Sequence, residues 1–186
     1  MSGWPSAAFL DRDGTINVKA PEGEYVESPS EVRLLPGAAA AVARLNAAGV
    51  PVLVVTNQRG IALGRMTEAD LARVHARIVS ELASEGAHVD GWYSCPHDIG
   101  VCDCRKPGTL LFERAAAEHA IGLDRAVVVG DSASDVEAGA RVGAKTVWIG
   151  GVGSETSDIS PQSTTPPSDA TVSSLAEAVD WILARR

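Results

Sequence analysis

Residues 50–57, VPVLVVTN, carry an unbroken Val/Leu run into a threonine and an asparagine. A strand with one wet face alternates polar and apolar residues, whereas a strand without alternation is covered on both faces, as in a parallel sheet packed between helices. The pattern recurs outward from this stretch. AAFL leads into Asp11, VDGWYS into Cys95, AVVVG into Asp131, and TVWIG ends at Gly150. Between these runs lie helical candidates at 37–48, 67–84, 109–120 and 134–142. Thr67 followed by Asp70 forms a capping box with Asp in place of Glu, and Gly49, Gly86 and Gly143 stand where helices stop. The alternation predicts an α/β fold, a Rossmann-like parallel sheet flanked by helices. The Ser/Thr/Pro-rich segment of about 151–169 reads as a loop, followed by a last helix from about residue 172 to 185. No segment between these elements is long enough for a large cap domain, so residues 1–186 read as one domain.

Composition narrows the function. The chain has 186 residues, 45% of them hydrophobic, enough for one sizeable core. No apolar run approaches the ~20 residues that a bilayer span needs. The opening MSGWPSAAFL lacks a basic segment followed by a sustained apolar one, so no secretory or transit signal is read and a cytoplasmic location is expected. A net charge of −8 argues against a general polyanion binder. No nucleic-acid or membrane partner is expected, while a small phosphorylated substrate remains compatible because a local site can be positive on an acidic protein. A monomer is expected.

In a sheet of this kind ligands bind at the carboxyl ends of the strands. The polar residues of interest fall there: Asp11 and Asp13, then Thr56, Asn57 and Gln58, then Arg105 and Lys106, then Asp131 and Asp135. Two carboxylates two residues apart repel, and a hard divalent cation such as magnesium, shared with a substrate phosphate, would relieve the repulsion. One Asp could then attack phosphorus while the other gives a proton to the leaving oxygen and later activates water. Thr56, the loop amides and Lys106 would hold the equatorial oxygens. The segment CPHDIGVCDCRKP, residues 95–107, holds all three cysteines. Cys95, His97, Cys102 and Cys104 supply a closed tetrahedral set suited to structural zinc. His75, His88 and His119 lack such company and are expected at the surface.

DRDGT, the Thr56-Asn57 strand end, Lys106 and GDSASD together resemble, in order, the four motifs of haloacid dehalogenase superfamily phosphatases. The resemblance implies that Asp11 is the nucleophile and Asp13 the general acid/base. It implies that Thr56 and Lys106 bind phosphate, and that magnesium is held by Asp11, Asp131 and the backbone carbonyl of Asp13, with Asp135 as ligand or supporting residue. The cysteine loop, with DRDGTIN, TNQRG and CDCRKP, is similar to a subfamily of heptose 1,7-bisphosphate and histidinol-phosphate phosphatases. That likeness implies substrate contacts from Asn57, Gln58, Arg105 and Tyr25. It makes a sugar bisphosphate the expected substrate and histidinol phosphate the alternative. Two departures cross: GDSASD lacks a lysine after the motif Asp, and Glu24 precedes Tyr25 where a glycine is expected.

Overall fold

A computed structural model describes residues 4–150 and 167–186. Its strands are β1 (Ala8–Leu10), β2 (Val52–Asn57), β3 (Gly91–Cys95), β4 (Val127–Gly130), β5 (Lys145–Ile149) and β6 (Ala170–Val172). They form one sheet in the order β3-β2-β1-β4-β5-β6, and every neighbouring pair is parallel. The helices are α1 (Ala38–Ala47), α2 (Glu68–Ala83), α3 (Leu110–His119), α4 (Ala133–Arg141) and α5 (Leu175–Leu183).

The apolar runs explain the layering. In β1, Ala8 and Leu10 face the core layer shared with α1, α2 and α5, while Phe9 faces the layer shared with α3 and α4. All three residues are fully buried, as expected of a central strand covered on both sides. Phe9 meets Phe112 of α3 with ring centroids 5.3 Å apart. Burying side chains of this size contributes roughly 1.5–3 kcal/mol each, and it is this apolar burial that holds the helices on the sheet. The Thr67 cap forms as read: its hydroxyl accepts from the Asp70 amide at 3.1 Å, and the Asp70 carboxylate accepts from the Thr67 amide at 2.8 Å.

One element departs from the sequence reading. Residues 170–172 form β6 against β5, and the last helix begins only at Leu175, after Ser174, whose hydroxyl accepts from the Glu177 amide at 3.3 Å. Three residues are too few to show a period, and what makes them a strand is the open edge of β5. Most of the Ser/Thr/Pro-rich loop, residues 151–166, lies outside the described residues. No cap domain stands over the sheet among the described residues, and none of their helices is long and apolar enough to cross a membrane.

Candidate active site

The strand order reverses between β1 and β4: the chain leaves β1 toward β2 on one side and leaves β4 toward β5 on the other. The loops part there and open a crevice at the carboxyl ends of the two strands. Asp11 follows β1, its amide bonded to the Val129 carbonyl of β4 at 2.9 Å, and Asp131 follows β4. A cleft of about 620 Å³ opens over them, bordered by Lys19, Tyr25, Asn57 and Arg105.

Lys106 is the electrostatic centre. It is 5% exposed, and its Nζ lies 2.7 Å from Asp11 Oδ1 and 2.6 Å from Asp135 Oδ1, while donating to the Val55 carbonyl at 2.6 Å. Burial disfavours its charge, but the two carboxylates outweigh that and raise its pKa above the ordinary lysine value. Asn57 fixes the lysine's backbone: its Oδ1 accepts from the Lys106 amide at 3.0 Å, and its Nδ2 donates to the Lys106 carbonyl at 3.2 Å. For Asp11, burial dominates, and despite Lys106 its pKa is pushed up to about 7, with Asp135 and Asp13 adding to the rise. A single ammonium does not balance this concentration of carboxylates.

Asp11, Asp131 and Asp135 each offer an oxygen within 4.8 Å of the others. Asp131 Oδ1 is buried without a hydrogen-bond partner, and burial raises the Asp131 pKa despite the nearby Lys19. Three carboxylates served by only the Lys106 and Lys19 ammoniums, with one carboxylate oxygen left unpartnered, are a set of hard oxygen donors that fits magnesium. Asp135 is the most committed of the three: besides Lys106, it accepts from the Ser132 amide at 3.1 Å and hydroxyl at 2.6 Å, capping α4. Gly14 makes the convergence possible. It has φ +85°, and a Cβ there would sit 2.3 Å from Asp131 Oδ2.

Asp13 lines the same cleft under different control. Arg12 Nη2 donates to its Oδ1 and Oδ2 at 2.9 and 2.8 Å, Asn17 Nδ2 to Oδ1 at 2.9 Å, and Gln58 Nε2 to Oδ2 at 3.0 Å. Burial alone would raise its pKa, but Arg12 and these hydrogen bonds hold it below the ordinary carboxylate value. Environment therefore separates two neighbouring aspartates in opposite directions.

The remaining expected residues divide. Thr56, Asn57, Arg105 and Tyr25 line the cleft. The Tyr25 ring packs on Gly60, where an added Cβ would meet it at 3.0 Å. Gln58 does not fit its expected place as a substrate contact: it is 1% exposed and bonds Asp13 and the Thr56 hydroxyl. His75 is not at the surface either. It is stacked on Trp92 with centroids 4.2 Å apart, and its Nε2 lies 3.4 Å from Arg12 Nη1. Its burial, helped by Arg12, lowers its pKa to about 3. Sequence reasoning also passed over Arg12, Asn17 and Lys19. An arginine between two acids directly after a buried strand was the signal available for the first.

Beyond β3, the Cys95, Cys102 and Cys104 sulfurs lie 3.1–3.5 Å from one another, and His97 Nδ1 is 3.2 Å from Cys104 Sγ. These separations approach the roughly 3.8 Å edge of a tetrahedron built on ~2.3 Å zinc–sulfur bonds. Burial and the adjacent sulfurs push the Cys104 thiol up to about 12, so the cluster resists holding several thiolates without a cation. Arg59 donates to Asp98 Oδ1 at 2.6 Å and ties this loop to the one after β2.

A strand that ends in a pair of aspartates, a buried lysine and a second acidic strand end are the features of a class of hydrolase, and comparison with known proteins agrees. A family profile described as HAD-hydrolase-like matches residues 103–178. A protein of Rhodopseudomonas palustris named D-glycero-beta-D-manno-heptose-1,7-bisphosphate 7-phosphatase is 41% identical over 145 residues, 74% of this chain and 79% of that one. The chain belongs to the haloacid dehalogenase-like hydrolase family. More particularly, it is similar to members named for heptose bisphosphates. The D-glycero-alpha-D-manno-heptose-1,7-bisphosphate 7-phosphatase of Mycobacterium tuberculosis is 39% identical over 153 residues, 78% of this chain and 80% of that one. The structure of D,D-heptose 1,7-bisphosphate phosphatase from B. bronchiseptica, complexed with magnesium and phosphate, superposes with a TM-score of 0.85 at 32% identity, covering 97% of this chain and 99% of that one.

Proposed function

We propose that the protein is a magnesium-dependent phosphomonoesterase that removes the 7-phosphate of D-glycero-D-manno-heptose 1,7-bisphosphate through an aspartyl-phosphate intermediate. The observation that carries this reading is Asp11, set between Lys106 and Asp131 on the floor of an open cleft. The names and bound groups of the relatives support it.

Asp11 and Asp131, with the Asp13 carbonyl, would hold magnesium, which when bound neutralises the carboxylates and phosphate and orients the phosphoryl group. Asp11 Oδ attacks phosphorus and the bond to the sugar oxygen breaks. That oxygen takes the proton of Asp13. The free site keeps Asp13 ionised, but an arriving phosphate dianion adds negative charge beside it and favours the protonated form. Water then attacks the aspartyl phosphate as Asp13 takes back a proton, and Asp11 leaves as carboxylate. Thr56 and Lys106 hold the phosphoryl oxygens, while Arg105 and Tyr25 face the sugar. Arg105 suits a bisphosphate because its guanidinium makes paired hydrogen bonds to phosphate, and its Nη1 is buried without a partner. Cys95, His97, Cys102 and Cys104 would hold zinc with all four positions filled by the protein, and the bound ion would fix the backbone that leads to Lys106, two residues further on.

Asp11→Asn should reduce phosphate release at least ~10⁴-fold, since an amide cannot attack phosphorus. A folded variant with near wild-type turnover removes Asp11 from this role. One observation favours histidinol phosphate instead: Glu22 and Glu24 border the cleft and suit a cationic amine. Measuring kcat/KM for both compounds on one preparation separates the readings, and equal or better turnover of histidinol phosphate rejects the heptose assignment.

A further inference from the structure

Lys19 belongs to no motif and stands on the loop after β1, yet its Nζ lies 2.9 Å from Asp131 Oδ2. Among the described residues three cations border the cleft, and they differ in freedom. Lys106 is buried and bound to two carboxylates. Arg105 is half-buried on the loop beyond the cysteine cluster. The Lys19 side chain is 58% exposed, with Asp131 as its ion-pair partner. Asp131 is also a carboxylate with a second, buried and unpartnered oxygen, which a divalent cation would satisfy. Two cations on one carboxylate repel, so a divalent ion there weakens the hold on the ammonium. The released ammonium remains tethered at the mouth of a cleft whose rim carries Glu22 and Glu24, where a second substrate anion would otherwise meet only negative charge on that side.

We infer that Lys19 is a specificity-determining residue: it neutralises Asp131 in the cation-free site and, once displaced by a divalent cation, receives a second anionic group of the substrate. This rests on the bisphosphate reading of the site. It exchanges one counter-ion for another on the same carboxylate, so cation loading and recognition of the distal anion are linked through a single side chain.

The test compares wild type, Lys19→Met and Lys19→Arg on heptose 1,7-bisphosphate and on p-nitrophenyl phosphate, which has no second anion. The ratio of kcat/KM for the two should fall about tenfold or more in Lys19→Met, the loss typical of one charge-assisted hydrogen bond, and should be largely restored in Lys19→Arg. Calorimetric titration with magnesium alone should show tighter binding to Lys19→Met than to wild type, because the competing cation is gone. A ratio within about twofold of wild type overturns the inference, and so does magnesium affinity that is unchanged or weakened. Wild type that hydrolyses p-nitrophenyl phosphate but does not prefer the bisphosphate overturns the substrate reading and this inference together. A wild-type preference that survives in Lys19→Met overturns the role of Lys19 alone.

Discussion

Asp13 is held by donors that can be removed one at a time, and Gln58 is the informative one because it reaches no solvent. Gln58→Leu should lower kcat roughly tenfold, the effect of losing one hydrogen bond to a charged group, with little change in KM. Steady-state kinetics on p-nitrophenyl phosphate decide this; a raised KM at unchanged kcat would return Gln58 to the substrate. His75 gives a second test at this scale, through stability. Folded His75 titrates at about 3, against 6.5 for the free side chain. Below pH 6.5 the unfolded chain takes up a proton that the folded chain refuses, so stability falls as pH drops from 6.5 toward 3, by about 1.4 kcal/mol per unit from this group. His75→Gln, although less stable at neutral pH, should lose stability less steeply between pH 6.5 and 4 in urea titrations. Parallel curves for the two proteins would place the proton elsewhere. Neither role was legible in the sequence. A lone glutamine after a strand and a lone histidine in a helix look alike whether they face inward or outward, and what turns them inward is the buried Arg12–Asp13 pair: His75 lies against Arg12, and Gln58 donates to Asp13.

Among the elements, the loop from Cys95 to Lys106 joins two chemistries. Lys106 is pinned by Asn57 on one side and adjoins the cysteine cluster on the other. Cys102→Ser should therefore reduce zinc below one per chain, lower the melting temperature and cut kcat about tenfold or more, and prolonged chelation should do the same to wild type. Elemental analysis beside phosphate-release assays tests this, and full activity in zinc-free protein refutes it. This loop was the most legible part of the sequence, because ligand type and close spacing are written locally. The Thr67 cap was legible for the same reason. β6 was not, because Ala170–Val172 form a strand only through β5, more than twenty residues back in the chain.

At the scale of the whole molecule, the unbroken valine runs announced a parallel sheet, since only residues covered on both faces can dispense with alternation. Runs of this kind tell which segments are strands but not their order, and the order is what brings Asp11 beside Asp131. Lys106 and Asp11 are 95 positions apart, and Lys19 and Asp131 are 112 apart. The central position of β1 also governs how the chain is made. On the ribosome, β1 and β2 emerge early and can pair, but the other edge of β1 stays bare until Val127–Gly130 has been synthesised. An apolar strand edge left open that long invites association with other nascent chains. The protein should therefore depend on chaperones while it is being translated more than its modest size suggests, and truncations ending before β4 should collect in the insoluble fraction, whereas those that include β4 and β5 should not.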